Sequence, residues 1–349
     1  MTEKINWAES TPASHSRLTP AQVSSWRERG FCLVHDLLPA ERLRAAARDA
    51  AAHFPPPGSE DAAAMINFGS NQKFVFPADS EACNDITLHP NLLHAVADLL
   101  DVDASYLRLT QSDLWPKYGR APSDRDYDNH DQRIHCDYPN HSLTHPPPWD
   151  RPDAVEIIIY LSDFNECHGS TAVVPREGPD DPAYAWPIVQ TPGVAGLPYI
   201  NNKANAEAYL KQHRPGTADF REAHLYAREA VTRYQFGSVL FYRHDTWHRG
   251  TPVTQGALRF VHNLTFKRAD SEWVNVLHPG WSWSMYRQDQ LMEKLIAKAT
   301  PGQRTVLGFP APGSLYWNHD TISAVEARYA AQGIDMQPYL EALDPPSNR

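Results

Sequence analysis

His135, Asp137, His248 and Arg259 are the residues whose types and spacing point to chemistry. In an extended strand, residues i and i+2 point to one face. His135-Cys136-Asp137 therefore offers an imidazole and a carboxylate side by side, with Ile134 and Cys136 turned away. A second imidazole from a distant strand, His248, completes two histidines and one carboxylate on one face of a metal. That set leaves coordination positions open and suits a non-haem iron(II) centre that takes substrate and dioxygen. Arg259 adds a fixed cation able to grip a carboxylate with two prongs, which fits an anchor for 2-oxoglutarate. The triplet alone carries little weight. The 17 histidines and 42 acidic residues supply about two His-x-Asp/Glu triplets by chance, the usual risk of a short motif. Its downstream context is what gives it meaning.

Composition narrows the classes. Hydrophobic residues make up 42% and charged residues 21% of 349, the balance of a globular chain. The 30 prolines argue for loops and turns around a β scaffold, not a helical bundle. No apolar run reaches the length of a membrane span, and Met1–Trp7 holds no signal-peptide core. A net charge of −10 argues against a nucleic-acid backbone as partner. Cys32, Cys83, Cys136 and Cys167 form no CxxC pair, and isolated thiols fit a reducing cytoplasm.

The elements that must hold these residues follow from punctuation and periodicity. Residues 1–18 read as an irregular tail. Thr19-Pro20 starts a helix that stops at Gly30, and Phe31–Val34 is a strand. A second helix runs from Ala40 to near Phe54 and a third from Pro90 to Leu100. This front section, 19–103, packs helices against a sheet. From Ala104 the texture turns to β. Tyr106–Gln111, Ala154–Leu161, Thr171–Val174 and Gly237–Tyr242 are strands. Residues 176–230 form a long insertion with one helical piece near Asn205–His213, the expected lid. Ala257–Phe266 alternates, with Leu258, Phe260, Leu264 and Phe266 on one face and Arg259, Val261, Asn263 and Thr265 on the other. Residues 267–349 read as a helical extension, with helices over Trp281–Lys298 and Thr321–Ala331. The expected organisation is one catalytic domain over 19–349.

Several residues stand near this set. Thr110, Gln111, Lys117 and Tyr118 precede the ligand segment and are candidates for contact with cosubstrate or substrate, against ordinary strand polarity. Asn263 and Thr265 share the Arg259 face. Trp115, Trp149 and Trp247 fit a pocket wall or, more simply, a core. His130, His168 and His244 read as satisfied or exposed side chains, because the triad is complete without them. Arg176 and Arg249 read as solvated surface charges before anchors for an acidic substrate.

Four blocks together resemble the phytanoyl-CoA dioxygenase family of Fe(II)/2-oxoglutarate oxygenases. They are Gly30–Leu38, His135-Cys136-Asp137, Glu166–Pro175, and Gly237–Phe241 with His248-Arg249-Gly250 and Arg259. The resemblance spans roughly residues 20–266. It implies a mainly β fold with flanking helices, a double-stranded β-helix of the cupin-type jelly roll. It implies Fe(2+) held by His135, Asp137 and His248, and 2-oxoglutarate held by Arg259 with Gln111, Thr251 and Asn263 nearby. The activity implied is hydroxylation of a small-molecule substrate by dioxygen, with release of succinate and CO2. Two departures stand out. Ser170-Thr171 and Pro175-Arg176 replace a more usual Gly-Ser-His ending. Gly250 stands where a hydroxyl would help hold the cosubstrate, with Thr251 as the substitute. A cosubstrate-independent cupin-type metalloenzyme and a non-catalytic jelly-roll binding protein are the alternatives. Arg259 speaks against the first, and the complete triad against the second. Asp137 fills the position that a halide would need.

Overall fold

The computed structural model describes residues 5–65, 72–121, 130–271 and 290–343. Its strands in chain order are β1 (Trp7–Glu9), β2 (Thr11–Pro12), β3 (Phe31–His35), β4 (Leu107–Tyr118), β5 (Ala154–Tyr160), β6 (Thr171–Val173), β7 (Ala230–Arg233), β8 (Val239–Tyr242), β9 (His248–Gly250) and β10 (Leu258–Arg268). They form a four-stranded sheet, β1-β7-β6-β9, and a six-stranded sheet, β2-β3-β8-β5-β10-β4. Pairing is antiparallel except for β1 with β7 and β2 with β3. The strands β1 and β2 lie within the stretch expected as an irregular tail. Trp7 and Thr11 have neighbours to pair with only once β7 and β3 are in place, so local sequence does not announce them.

Alternation decides what each face of the large sheet packs against. Val155, Ile157 and Ile159 of β5, Val239 and Phe241 of β8, and Phe260, Leu264 and Phe266 of β10 face a single apolar core. That core is closed by the helices Ala40–His53, Glu81–Thr87 and Pro90–Leu100, which contribute Leu43, Ile86 and Val96. The other faces of the same strands send Tyr160, Leu240, Tyr242 and Val261 against Val173 and Ala230 of the small sheet. The two sheets thus pack face to face. The helix Pro20–Arg29 begins with a capping box between Thr19 and Gln22. It ends at Gly30, whose φ of 93° suits a residue without a Cβ.

The chain divides into two compact units. The first comprises Met1–His135, Ala154–Pro179 and Ile200–Arg268 and contains both sheets. The second comprises Cys136–Asp153, Asp180–Tyr199 and Ala269–Arg349. Its described helices are Leu291–Lys298, Pro301–Val306, His319–Arg328 and Gln337–Leu343. They share a core of Leu143, Ile296, Phe309, Trp317, Val325 and Tyr329. Arg328, almost wholly buried, donates from Nη1 to the carbonyls of Ser142 (2.8 Å) and Thr144. The C-terminal helices thus share their core with Leu143 from the middle of the chain. Residues 281–289 of the expected helix lie outside the described residues. No helix among the described residues is long and apolar enough to cross a membrane.

The insertion divides as well. Its first part, from Asp180, belongs to the second unit, and from Ile200 onward it belongs to the first. It carries the expected helix as Lys203–His213 and a second, Pro215–His224, opened by Pro215 at its first turn.

Candidate metal centre

His135 and His248 face each other across an isolated antiparallel bridge. His135 N–H donates to His248 O, and His248 N–H returns the bond to His135 O, both at 2.8 Å. The imidazole centroids are 4.3 Å apart. Each ring is oriented by its own backbone. Nδ1 of His135 lies 3.2 Å from the Arg133 carbonyl and Nδ1 of His248 lies 3.0 Å from the Thr246 carbonyl. A carbonyl only accepts, so Nδ1 carries the proton and Nε2 the lone pair. This is the neutral tautomer a metal requires.

Asp137 is placed differently from the extended-strand expectation. Its backbone sits at φ −91°, ψ −14°, just before the short helix Tyr138–His141. The chain turns after His135 because β9 ends its pairing there, and Cys136 N–H instead donates to Thr191 Oγ1 at 3.2 Å. Cys136 is buried. Asn140 Nδ2 donates to Asp137 Oδ1 at 3.3 Å. Ligand atoms of His135, Asp137 and His248 all lie within 4.8 Å of one another. Among the described residues this is the group of histidine, cysteine and acidic side chains able to hold a metal ion. Two imidazole nitrogens and one carboxylate fit iron(II). Elsewhere, His168 Nδ1 lies 2.6 Å from Thr254 Oγ1.

A second feature lies on the large sheet. Arg259 of β10 stands directly opposite Lys117 of β4, and both are buried. Arg259 Nη1 donates to the Gly169 carbonyl, while its buried Nε has no hydrogen-bond partner among the described residues. Lys117 Nζ donates to the Thr251 carbonyl at 2.8 Å. Burial, then the adjacent Arg259 charge, hold the Lys117 ammonium well below its ordinary pKa, and Asp131 pulls the other way. Two buried cations side by side are costly unless an anion joins them.

The distance between the two features is set by β9. Gly250 follows His248 by two residues, so both point to one face. A Cβ on Gly250 would lie 2.8 Å from Gln132 Oε1 and 3.3 Å from Lys117 Nζ. The ammonium therefore stands beside the strand position one two-residue step, roughly 7 Å, along from His248. That gap suits a short diacid anchored at one end and chelating at the other. The Thr251 hydroxyl donates to Ser170 O at 2.9 Å, so Thr251 offers Lys117 its carbonyl.

Gln111 and Asn263 share the Arg259 face but not its position. Gln111 pairs with Thr265 and Asn263 with Asp113, which puts them roughly 20 Å and 13 Å along the strands from Arg259. Gln111 Nε2 donates to Asp113 Oδ1 at 2.8 Å, and Trp115 Nε1 donates to the other oxygen. Burial pushes the Asp113 carboxyl up to about 6 against these two bonds. Asn263 Nδ2 is buried with no hydrogen-bond partner among the described residues. Lys117 is the residue that meets Arg259. The alternation Gln111, Asp113, Trp115, Lys117 along β4 is the signal that puts it on the Arg259 face.

The chain is similar to several solved structures. One is the non-heme alpha-ketoglutarate-dependent carbocyclase SnoK from nogalamycin biosynthesis, with 15% identity over 76% of this chain and 88% of that one and a TM-score of 0.49. Another is EctD from S. alaskensis in its apoform, with 15% identity over 79% and 87% and a TM-score of 0.49. A third is HygX from Streptomyces hygroscopicus with nickel and 2-oxoglutarate bound, with 13% identity over 72% and 88% and a TM-score of 0.46. No curated protein matches the sequence. The family model described as Phytanoyl-CoA dioxygenase (PhyH) matches residues 26–261, a span that contains His135, Asp137, His248 and Arg259. The chain belongs to the phytanoyl-CoA dioxygenase family.

Proposed function

We propose that the protein is an iron(II)- and 2-oxoglutarate-dependent oxygenase that hydroxylates a small molecule and releases succinate and CO2. The observation that carries this reading is the cluster of His135, Asp137 and His248 together with the buried Lys117 beside Gly250, two residues after His248, and the buried Arg259 opposite Lys117. In this reading the two sheets packed face to face are the two halves of a double-stranded β-helix of the jelly-roll kind.

The roles of the chain's own residues follow. His135 and His248 present Nε2 to the metal because their Nδ1 protons are held by backbone carbonyls. Asp137 supplies the negative charge that offsets the ion. Arg259 and Lys117 take the distal carboxylate of 2-oxoglutarate, which completes the hydrogen bonding of Arg259 Nε and shares its charge between the two cations. Gly250 keeps the space beside Lys117 clear. Val261 and Tyr160, buried between the sheets, exclude water. Iron(II) with bound 2-oxoglutarate supplies the oxidative decarboxylation and the oxygen insertion. The insertion at 176–230 is the proposed cover of this site.

Anaerobic addition of Fe(II) and 2-oxoglutarate should produce a weak visible charge-transfer band, and Asp137→Ala or His248→Ala should abolish it. Succinate release against a metabolite panel then identifies the substrate. With labelled dioxygen, one atom should enter succinate and the other largely the product. Product formed without 2-oxoglutarate, or carrying both oxygen atoms, would favour the cosubstrate-independent alternative.

A further inference from the structure

The segment that carries His135 runs between two neighbours. Toward β9, Gln132 N–H donates to the Gly250 carbonyl at 3.1 Å, and His135 exchanges its two bonds with His248. On its other side, Arg133 N–H donates to Asn201 O and Lys203 N–H to Asp131 O, both at 2.8 Å. Ile134 comes next, and there the second neighbour has ended. In an antiparallel pair, the residues flanking a doubly bonded position turn their N–H and C=O the opposite way. Ile134 therefore points both backbone groups away from β9, where a strand would normally meet them. Buried and unpaired, they would cost stability.

Side chains take the place of that strand. The Tyr226 hydroxyl accepts the Ile134 N–H at 3.1 Å, and Arg221 Nη2 donates to the Ile134 carbonyl at 2.9 Å. Glu207 Oε1 locks the two together. It accepts from Tyr226 Oη at 2.7 Å and from Arg221 Nε and Nη2 at 2.9 and 2.8 Å. Arg221 is fully buried, an expensive placement for a guanidinium that holds only while every bond is made. The same cluster reaches the residue after the second histidine. Arg249 grips Glu229 with Nε and Nη2 at 2.7 and 2.6 Å and bonds Asp131 with Nη1. Its guanidinium, that of Arg221 and the Lys203 ammonium all stand over the Tyr226 ring, at 6.0, 5.7 and 4.4 Å from the centroid.

We propose that Arg221, Glu207 and Tyr226 are positioning residues of the metal centre. They act as a surrogate strand beside Ile134 and fix the backbone from which His135 projects, while Arg249 ties β9 and His248 to the same cluster. This rests on the metal reading above, and it gives the 200–228 part of the insertion a task that needs no contact with substrate. Loosening the surrogate strand frees the His135 ring to turn, so the ion should bind less tightly in a less uniform ligand field.

The test is titration of the metal-free full chain with Fe(II), and with Co(II) as a spectroscopic probe. Tyr226→Phe deletes one oxygen, and Arg221→Met deletes the bond to Ile134. Each should weaken binding about 10- to 100-fold, the effect usual for groups that orient ligands, and should broaden the Co(II) ligand-field bands. Arg221→Lys, which keeps the charge opposite Glu207, should recover part of the loss. Arg304→Met is the control: that buried arginine hydrogen-bonds the carbonyls of Ile296, Ala297 and Asp335, and its loss should leave metal affinity unchanged. If Arg221→Met does not fold, Tyr226→Phe decides alone. Wild-type affinity and spectrum in Tyr226→Phe, or equal losses in Arg304→Met, would overturn the proposal. Failure of the wild-type chain itself to bind either ion would overturn the metal reading instead.

Discussion

Arg259 and Lys117 raise each other's cost by standing together in a buried place, and this makes them the sharpest residues to change. Removing a buried charged partner costs about 2–5 kcal/mol in binding. Arg259→Ala should therefore raise the 2-oxoglutarate concentration needed for turnover by well over tenfold, with Fe(II) affinity nearly intact. Lys117→Met should do the same to a smaller extent, because it removes a repulsion as well as an anchor. An unchanged requirement in both variants places the anchor elsewhere. His262 is a residue of another kind. It sits on the apolar face of β10, where burial lowers its pKa from 6.5 to about 4. Its Nε2 lies 3.0 Å from Ser112 Oγ and 3.5 Å from Thr87 Oγ1. Between these two pKa values the unfolded chain binds a proton that the folded chain refuses. Its contribution is thus intact above about pH 6.5 and declines as pH falls toward 4, by on the order of 3 kcal/mol in all. Asp113 works in the opposite direction. Its carboxyl is raised from 3.8 to about 6, so the folded chain holds the extra proton in that window. The clean measure is the difference between wild type and His262→Phe in urea unfolding at several pH values. Thr87 and Ser112 already bond each other at 2.8 Å and would remain satisfied. A difference that does not vary between pH 7 and pH 4 would contradict the assignment.

Strand β9 is only three residues long, yet it carries His248, pairs with His135 and leaves room for Lys117. Gly250→Val should drive a branched side chain toward the Lys117 ammonium and the Gln132 carboxamide. The expected outcome is a raised 2-oxoglutarate requirement with metal binding retained. Loss of metal binding alone would show that the strand, not the space beside it, was disturbed. The insertion can be read at the same scale. If residues 200–228 hold the His135 segment and lie over the site, Fe(II) with 2-oxoglutarate should slow proteolytic cleavage there. Cleavage that responds to no ligand would make the segment decoration.

For the whole molecule, the metal is linked to stability. An ion that binds the folded chain and not the unfolded one adds about 2.7 kcal/mol at a concentration 100 times its Kd. Fe(II) under nitrogen should raise the melting temperature of the wild-type chain, and chelation should reverse the rise. The Asp137→Ala chain should show neither effect. A similar rise in that variant would mean that the stabilising ion sits elsewhere.

Much of this was legible in the chain itself. Thr19-Pro20 and Gly30 bound a helix because capping and φ preference act within a few residues. Alternation from Leu258 to Phe266 assigns Arg259 to the face away from the apolar core, because side-chain direction in a strand has a period of two. The residue types at His135, Asp137 and His248 suffice to suggest iron. Tertiary structure alone decided the rest, because it depends on which distant segments meet. Alternation puts Lys117 and Arg259 on a face but does not set the register that makes them partners. The turn after His135 arises because its pairing with β9 ends there, so Asp137 arrives by a helical backbone and not by a strand. The pairing of β1 and β2 waits on β7 and β3. The bonds of Ile134 to Arg221 and Tyr226 join residues some ninety positions apart, and no local preference records them.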